Sequence, residues 1–336
     1  MAYDPTESSG SRPVGRGADG GAWDSPAKTR APGGTGPALP RAMTAPRQIL
    51  PGITYLVTRR CAQRQFLLRP SKVANEVFLY LLALAARRFG VEVHAYCVMS
   101  NHYHLVVTDA DARLPAFMQY LDGLVGRAIN ALLGRDEAFW GPDSYSAVAL
   151  ASPRDIVDKT AYTLANPVAA GLVRSGRRWP GLWSTPEAVG AGEHLVPRPN
   201  HFFDPQGGLP ELVPLELTTP PGFSTAEAFR ELLMAALSER EAEAVKKAGT
   251  FLGVARVLAQ RATARSRSVE PRRQLNPRVA ARDRWKRIEA LGRLVSFLAD
   301  YRAAWHEWHQ GRRGVIFPAG TYQMRITHGA ACAGAG

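Results

Sequence analysis

Two β-type runs, Val91–Met99 (VEVHAYCVM) and His102–Thr108 (HYHLVVT), are separated only by Ser100 and Asn101. A two-residue break suits a tight hairpin, so the two runs read as antiparallel neighbours in one sheet. Ahead of them ITYLVTRR (Ile53–Arg60) alternates and is rich in β-branched residues, the pattern of another strand. Between these strands Ser71 opens a segment in which Val73, Val77, Tyr80, Leu81 and Leu84 recur at helical spacing, and Gly90 offers a stop. A second amphipathic helix is expected over Arg113–Gly134. After a loop holding Trp140 and Tyr145, a third is expected from Ser152: Ser152 suits the N-cap, Pro153 the first helical position and Asp155 a capping box, and Pro167 is expected to end it. The order β-α-β-β-α plus an added helix predicts an α+β chain, a ferredoxin-like antiparallel sheet with helices on one face.

The flanks differ in composition. Residues 1–46 are rich in Gly, Pro, Ala, Ser and Arg and read as a disordered N-terminal segment, unable to bury enough apolar surface to offset ordering; Met43 stands just ahead of the folded pattern as an alternative start. The folded domain is expected over 47–190, a Pro-rich linker over 191–222 and a basic helical C-terminal region over 223–328. In that region Ser224 and Glu227 make a capping box, TFLGVARVLAQRA is a short helix candidate, and 278–310 reads as one long helix with Trp285, Ile288, Leu291, Leu294, Leu298, Tyr301, Trp305 and Trp308 along a stripe.

Charge narrows the partners. Lys and Arg outnumber Asp and Glu by 42 to 29, for a net charge of +13. A chain this basic is drawn to phosphate backbones or anionic membranes. The longest apolar run, Val77–Ala86, is too short to span a bilayer, and no basic helix with a lipid-facing aromatic edge stands out, so nucleic acid is the better partner. Cys61, Cys97 and Cys332 are far apart and odd in number, which fits free thiols in a reducing compartment, and the expected location is the cytoplasm.

The chemistry concentrates at His102 and His104. Along a strand, residues i and i+2 share a face, so the two imidazoles project side by side while Tyr103 points the other way. Such a pair can bind one divalent ion, and it equally suits two polar residues on a half-exposed strand. On the third helix Asp158, Tyr162 and Asn166 follow at four-residue steps, along one face. That face carries a phenol and, one turn on, an amide oxygen able to act as a third ligand. The alternative is that Tyr162 packs by its ring and Asn166 caps the helix before Pro167. Tyr145 and Tyr120 compete as reactive phenols, but neither has an asparagine one turn on. Asp158 is a candidate for orienting Tyr162.

SNHYHLVV together with AYTLANPVAAGLV (Ala161–Val173) resembles the single-tyrosine HUH nucleases, in which U is a bulky apolar residue. More narrowly it resembles the REP-associated tyrosine transposases of the IS200-like superfamily. VTRRCAQRQFLLRP (Val57–Pro70) is similar to that family's opening strand and turn, and FPAGTY (Phe317–Tyr322) is similar to extensions of its longer members. The resemblance covers about Arg47 to Ser184 and implies the HUH nuclease fold. It implies that His102, His104 and Asn166 hold Mg²⁺ or Mn²⁺, although an N/N/O ligand set does not exclude Zn²⁺. It implies that Tyr162 attacks a phosphodiester and forms a 5′-phosphotyrosine, with single-stranded, hairpin-bearing DNA as partner.

Two further readings stand beside this strand transferase: an HUH nickase of replication or plasmid transfer, and a non-catalytic hairpin-DNA-binding protein. The single tyrosine and the lack of a P-loop argue for the transposase. A homodimer that exchanges the tyrosine helix is compatible with Gly141 and Pro142 ahead of that helix. For DNA contact the candidates are Arg59 and Arg60 at the end of the first strand, Asn101 before the histidines, and Arg272 and Arg273 in Arg256–Arg287, a stretch with eleven Lys/Arg against two acids.

Overall fold

The computed structural model of the protein describes residues 45–142, 144–266 and 277–334. Of the segment read as disordered only Ala45 and Pro46 are among them, and Arg272 and Arg273 lie outside the described residues.

The two-residue break is a hairpin. β2 (Val91–Met99) pairs with β3 (His102–Asp109) from Met99 opposite His102, and Ser100 and Asn101 make the turn. The turn is pinned from outside: Cys61 and Leu68 donate their backbone N–H groups to the carbonyls of Asn101 (2.8 Å) and Ser100 (2.9 Å). β1 (Ile53–Arg60) lies on the other side of β3, antiparallel, with Thr58 opposite His104 and Arg60 opposite His102.

α1 (Lys72–Phe89) is held by its ends. The Ser71 hydroxyl accepts from Ala74 N, and Gly90 closes the helix at φ 64°, where a side chain would be strained. α2 (Leu114–Leu133) is capped by a residue of the sheet: both Asp109 oxygens accept, from Arg113 N and Leu114 N, each at 2.7 Å. α1 and α2 pack together on the sheet face that carries Tyr103, whose ring meets Phe78 edge-on at 5.1 Å.

A fourth strand, β4 (Ser146–Leu150), pairs antiparallel with β1 inside the segment expected to be loop. Five residues, SAVAL, give too little alternation to announce it. It completes the ferredoxin-like order β2-β3-β1-β4. Two residues from the C-terminal region, β7 (Val279–Ala280), then add to β4 in parallel, so the sheet is mixed rather than purely antiparallel.

α3 (Pro153–Ala169) crosses β2, β3 and β1 on the face opposite α1 and α2, so helices cover both faces. Its N-terminus is the expected one, with Ser152 accepting from Asp155 N. Its end is not: the helix runs through Pro167 to Ala169, because a proline in the last turn forfeits only one backbone bond there.

Residues 191–222, read as a linker, carry β5 (His194–Pro197) and β6 (Leu212–Leu215), a hairpin whose Val196, Val213 and Leu215 join the main core. α4 (Ala226–Ala248) packs along α3. α5 (Val254–Leu258) spans five residues, shorter than the expected helix, since Gly253 and the turn after Leu258 bracket it. α6 (Arg284–His309) starts six residues late, where the Asp283 carboxylate accepts from Lys286 N. It buries Ala290, Phe297, Tyr301 and Ala304, not the whole expected stripe, and Trp285 is 74% exposed. α7 (Tyr322–His328) follows FPAGTY, in which Phe317 is fully buried. Among the described residues no helix is long and apolar enough to cross a membrane.

Candidate active site

Strand alternation sorts the residues around the hairpin onto two faces. Tyr103 points toward α1 and α2, is fully buried, and donates its hydroxyl to Asp122 Oδ1 at 2.6 Å. Arg59, opposite Tyr103 in the register, shares that face. It pairs with Asp122 at 3.5 Å and lies over the Trp140 ring. Its guanidinium thus pairs with an acid of the domain rather than standing clear of it. Arg60, opposite His102, is exposed on the other face.

That other face carries the histidines. Their rings stand edge-on, with centroids 4.8 Å apart. His102 Nδ1 donates to Asn101 Oδ1 at 2.7 Å, since an amide oxygen can only accept. Asn101 Nδ2 in turn donates to the Arg64 carbonyl. Asn101, a candidate for contact with a phosphate or base, here holds His102 by this bond. His104 Nδ1 is hydrogen-bonded to Thr58 Oγ1 at 2.8 Å, and its Nε2 is buried with no hydrogen-bond partner. Burial first, then His102 and Arg60, hold the His104 pKa well below the ordinary imidazole range, so the ring is neutral near pH 7.

α3 brings the phenol. The Tyr162 ring stands edge-on to His104, with centroids 5.6 Å apart, and the residue is 40% exposed. Asn166, half-buried, is one turn further along the same helix. Tyr145 is buried beneath Arg47, 4.0 Å over its ring, and Tyr120 sits between Arg88 and Phe89 on the α1 side. Asp158 does not turn to Tyr162. It accepts from Arg240 at 2.6 Å and from Arg282 at 3.2 Å, and the pull of its cationic partners overcomes burial to hold its carboxyl below the usual range. Lys159 was not singled out in the sequence. Its ammonium bonds Asp158 at 3.1 Å and lies 5.9 Å from the Tyr162 ring centroid; the three-residue spacing on the helix was the available signal.

A neutral imidazole with a buried unpartnered nitrogen, His104, beside a second held at Nδ1 by Asn101, suits a divalent ion. Among the described residues no three His, Cys, Asp or Glu side chains cluster as a metal-binding group.

Fold and site together define a class: a ferredoxin-like sheet that presents an HxH strand to a tyrosine-bearing helix. Residues 51–155 match the family model Transposase IS200 like. The matched span includes both histidines and ends in the first turn of α3, before Tyr162 and Asn166. No curated protein matches the chain. Among solved structures it is similar to a REP-associated tyrosine transposase bound to a REP hairpin, at 20% identity and a TM-score of 0.35 over 40% of this chain and 78% of that one. It is also similar to a Deinococcus radiodurans R1 protein assigned to the transposases, at 20% identity and a TM-score of 0.26 over 32% of this chain and 85% of that one.

Proposed function

We propose that the protein is a metal-dependent DNA strand transferase that nicks and rejoins single-stranded, hairpin-bearing DNA through Tyr162. The observation that carries this reading is the approach of a solvent-open phenol to a histidine pair of which His104 is neutral. The hairpin substrate rests on the likeness of SNHYHLVV and AYTLANPVAAGLV to the REP-associated tyrosine transposases.

Each residue has a task. His102, His104 and Asn166 would hold the ion, Mg²⁺ or Mn²⁺. Bound there, the ion supplies positive charge to a non-bridging oxygen of the scissile phosphate and eases ionisation of the phenol. Tyr162 gives up its proton and its oxygen attacks phosphorus in line. The P–O3′ bond breaks, the 3′-oxygen leaves and takes a proton, and a 5′-phosphotyrosine remains. A new 3′-hydroxyl then attacks that phosphorus and releases Tyr162, so the diester is remade without an external energy source. Arg60, exposed on the histidine face, and Lys159, beside the phenol, supply positive charge to the strand. Tyr162 meets His104 of its own chain, which supports a site built within one chain.

A labelled hairpin oligonucleotide incubated with the protein and Mn²⁺, then run on a denaturing gel, tests the reading. A covalent adduct that disappears in Tyr162→Phe and is resolved by an added 3′-hydroxyl strand is the expected result. An adduct that is never rejoined favours the nickase, and tight binding with no adduct under any divalent ion favours a binding module.

A further inference from the structure

We infer that Arg240 and Arg282, both from the C-terminal region, are positioning residues for Tyr162: by holding the Asp158 carboxylate they set the seat of α3 that delivers the phenol to the histidines. The inference rests on Tyr162 as the nucleophile and adds a task for a region that would otherwise serve only as a basic arm.

Asp158 lies one turn before Tyr162 and is only 9% exposed. A carboxylate buried to that degree requires cationic partners. Two of its three come from outside α3: Arg240 on α4, at 2.6 Å, and Arg282 just after β7, at 3.2 Å, both on Oδ1. The third, Lys159, takes Oδ2 at 3.1 Å. Arg282 holds the helix a second time, because its backbone N–H donates to Asp155 Oδ1 at 2.7 Å, in the first turn of α3. The first two turns of α3 are thus tied to the C-terminal region through both of their aspartates.

The same region ties the other end. Leu252 N and Gly253 N donate to the carbonyls of Gly171 and Leu172, each at 2.9 Å, just past α3. Glu241 on α4 accepts from Gly176 N at 2.7 Å. Among the described residues, Arg240 of α4 and Arg282 after β7 tie the Asp158 end of α3 from outside the helix, so these bonds bear on where the packed helix delivers the phenol.

Charge distribution sharpens the point. With both arginines on Oδ1, the Lys159 ammonium need not satisfy Asp158 alone and stays within reach of the Tyr162 ring. Without them Lys159 is the one remaining cation on a buried carboxylate and is drawn away from the phenol. A displacement of about 1 Å at a reacting atom can cost about a hundredfold in rate, so the clamp acts on the chemical step rather than on DNA affinity.

The test uses the full chain carrying Arg240→Gln with Arg282→Gln, and separately Arg240→Lys. Three quantities are read: the single-turnover rate of adduct formation on a hairpin oligonucleotide with Mn²⁺, the equilibrium affinity for that oligonucleotide, and backbone hydrogen exchange. In the double variant the rate is expected to fall by about 30-fold or more, with affinity within about threefold. Exchange is expected to speed up in Pro153–Ala169 and not in Lys72–Phe89, and Arg240→Lys is expected to recover most of the rate. An unchanged rate, a fall in rate matched by the fall in affinity, or unchanged exchange in α3 would overturn the inference. If exchange rises across the whole chain, Asp158→Asn, which keeps the shape and removes the charge, is judged by the same criteria. A wild-type protein that forms no adduct defeats the nucleophile reading instead, and the exchange data still decide whether the two arginines hold α3.

Discussion

The ring of Tyr162 stands edge-on to the ring of His104, with 5.6 Å between centroids, while Thr58 holds the far nitrogen of that imidazole. Three elements make this meeting: β1 supplies the hydroxyl, β3 the imidazole and α3 the phenol. The parallel with a metal-assisted phosphoryl transfer site lies in that division of labour, and each part can be tested separately.

Asn101 holds Nδ1 of His102, so Asn101→Ala is expected to weaken Mn²⁺ binding by about 10- to 100-fold, the usual cost of removing a ligand's supporting hydrogen bond. Calorimetric titration of the wild type and variant measures it. Equal affinities would show that His102 needs no such support.

Tyr103, between the two histidines in sequence, belongs to the opposite face. Tyr103→Phe removes the hydrogen bond to the buried Asp122, a carboxyl that burial pushes up to about 6 against the pull of Tyr103 and Arg59. The expected cost is about 1–3 kcal/mol in urea unfolding, with adduct formation unchanged. Loss of the adduct in this folded variant would place the reactive phenol on the wrong side of the sheet.

His94 gives the fold an acid sensitivity. It sits at the β2 bulge, donates from Nδ1 to the Thr218 carbonyl at 2.8 Å, and its Nε2 accepts from Thr108, which accepts from Thr54. Burial lowers its pKa to about 4, the Thr218 carbonyl offsetting only part of this. The unfolded chain therefore takes up this proton first, near pH 6.5. The neutral ring contributes its full stability above that pH, and the contribution is lost as pH falls toward about 4, on the order of 3 kcal/mol. Asp122, shifted upward, titrates with the opposite sign over part of the same range. The measurement is accordingly the difference between wild type and His94→Gln in urea unfolding at pH 7 and pH 4.5: the advantage of the wild type is expected to shrink in acid. A constant difference would contradict it.

Gly320 joins the C-terminal segment to the start of the fold. At φ 84° its carbonyl accepts from Ile49 N at 3.0 Å, and a Cβ there would stand 2.8 Å from Gln48 Cγ and 3.0 Å from the Ile49 backbone. Gly320→Ala is expected to cost about 1–3 kcal/mol, from strain at positive φ and from overpacking. Thermal unfolding reads it, and an unchanged midpoint would mean that this contact gives way freely.

Much of the sheet was readable in the residues. The two-residue break dictated the hairpin, and alternation through HYH separated Tyr103 from the histidines. Ser71 and Ser152 marked their helices because a hydroxyl at that position satisfies an orphan N–H. The parts that were not readable depend on distant chain. SAVAL is too short to show a period. The apolar stripe of α3 shows that it packs, not which face of the sheet it covers. The inward turn of Arg59 was available from alternation once its partner in β3 was known, but register is a tertiary fact. Arg240 and Arg282 on Asp158 join residues whose spacing in sequence carries no signal.

The most direct test of the central claim is to find where DNA becomes attached. Trypsin releases Thr160–Arg174, a peptide whose only tyrosine is Tyr162. After reaction with a hairpin oligonucleotide and nuclease trimming, mass spectrometry of the digest is expected to place a 5′-linked nucleotide on this peptide. Attachment to the peptide bearing Tyr145, or to any residue remote from His102 and His104, would contradict it.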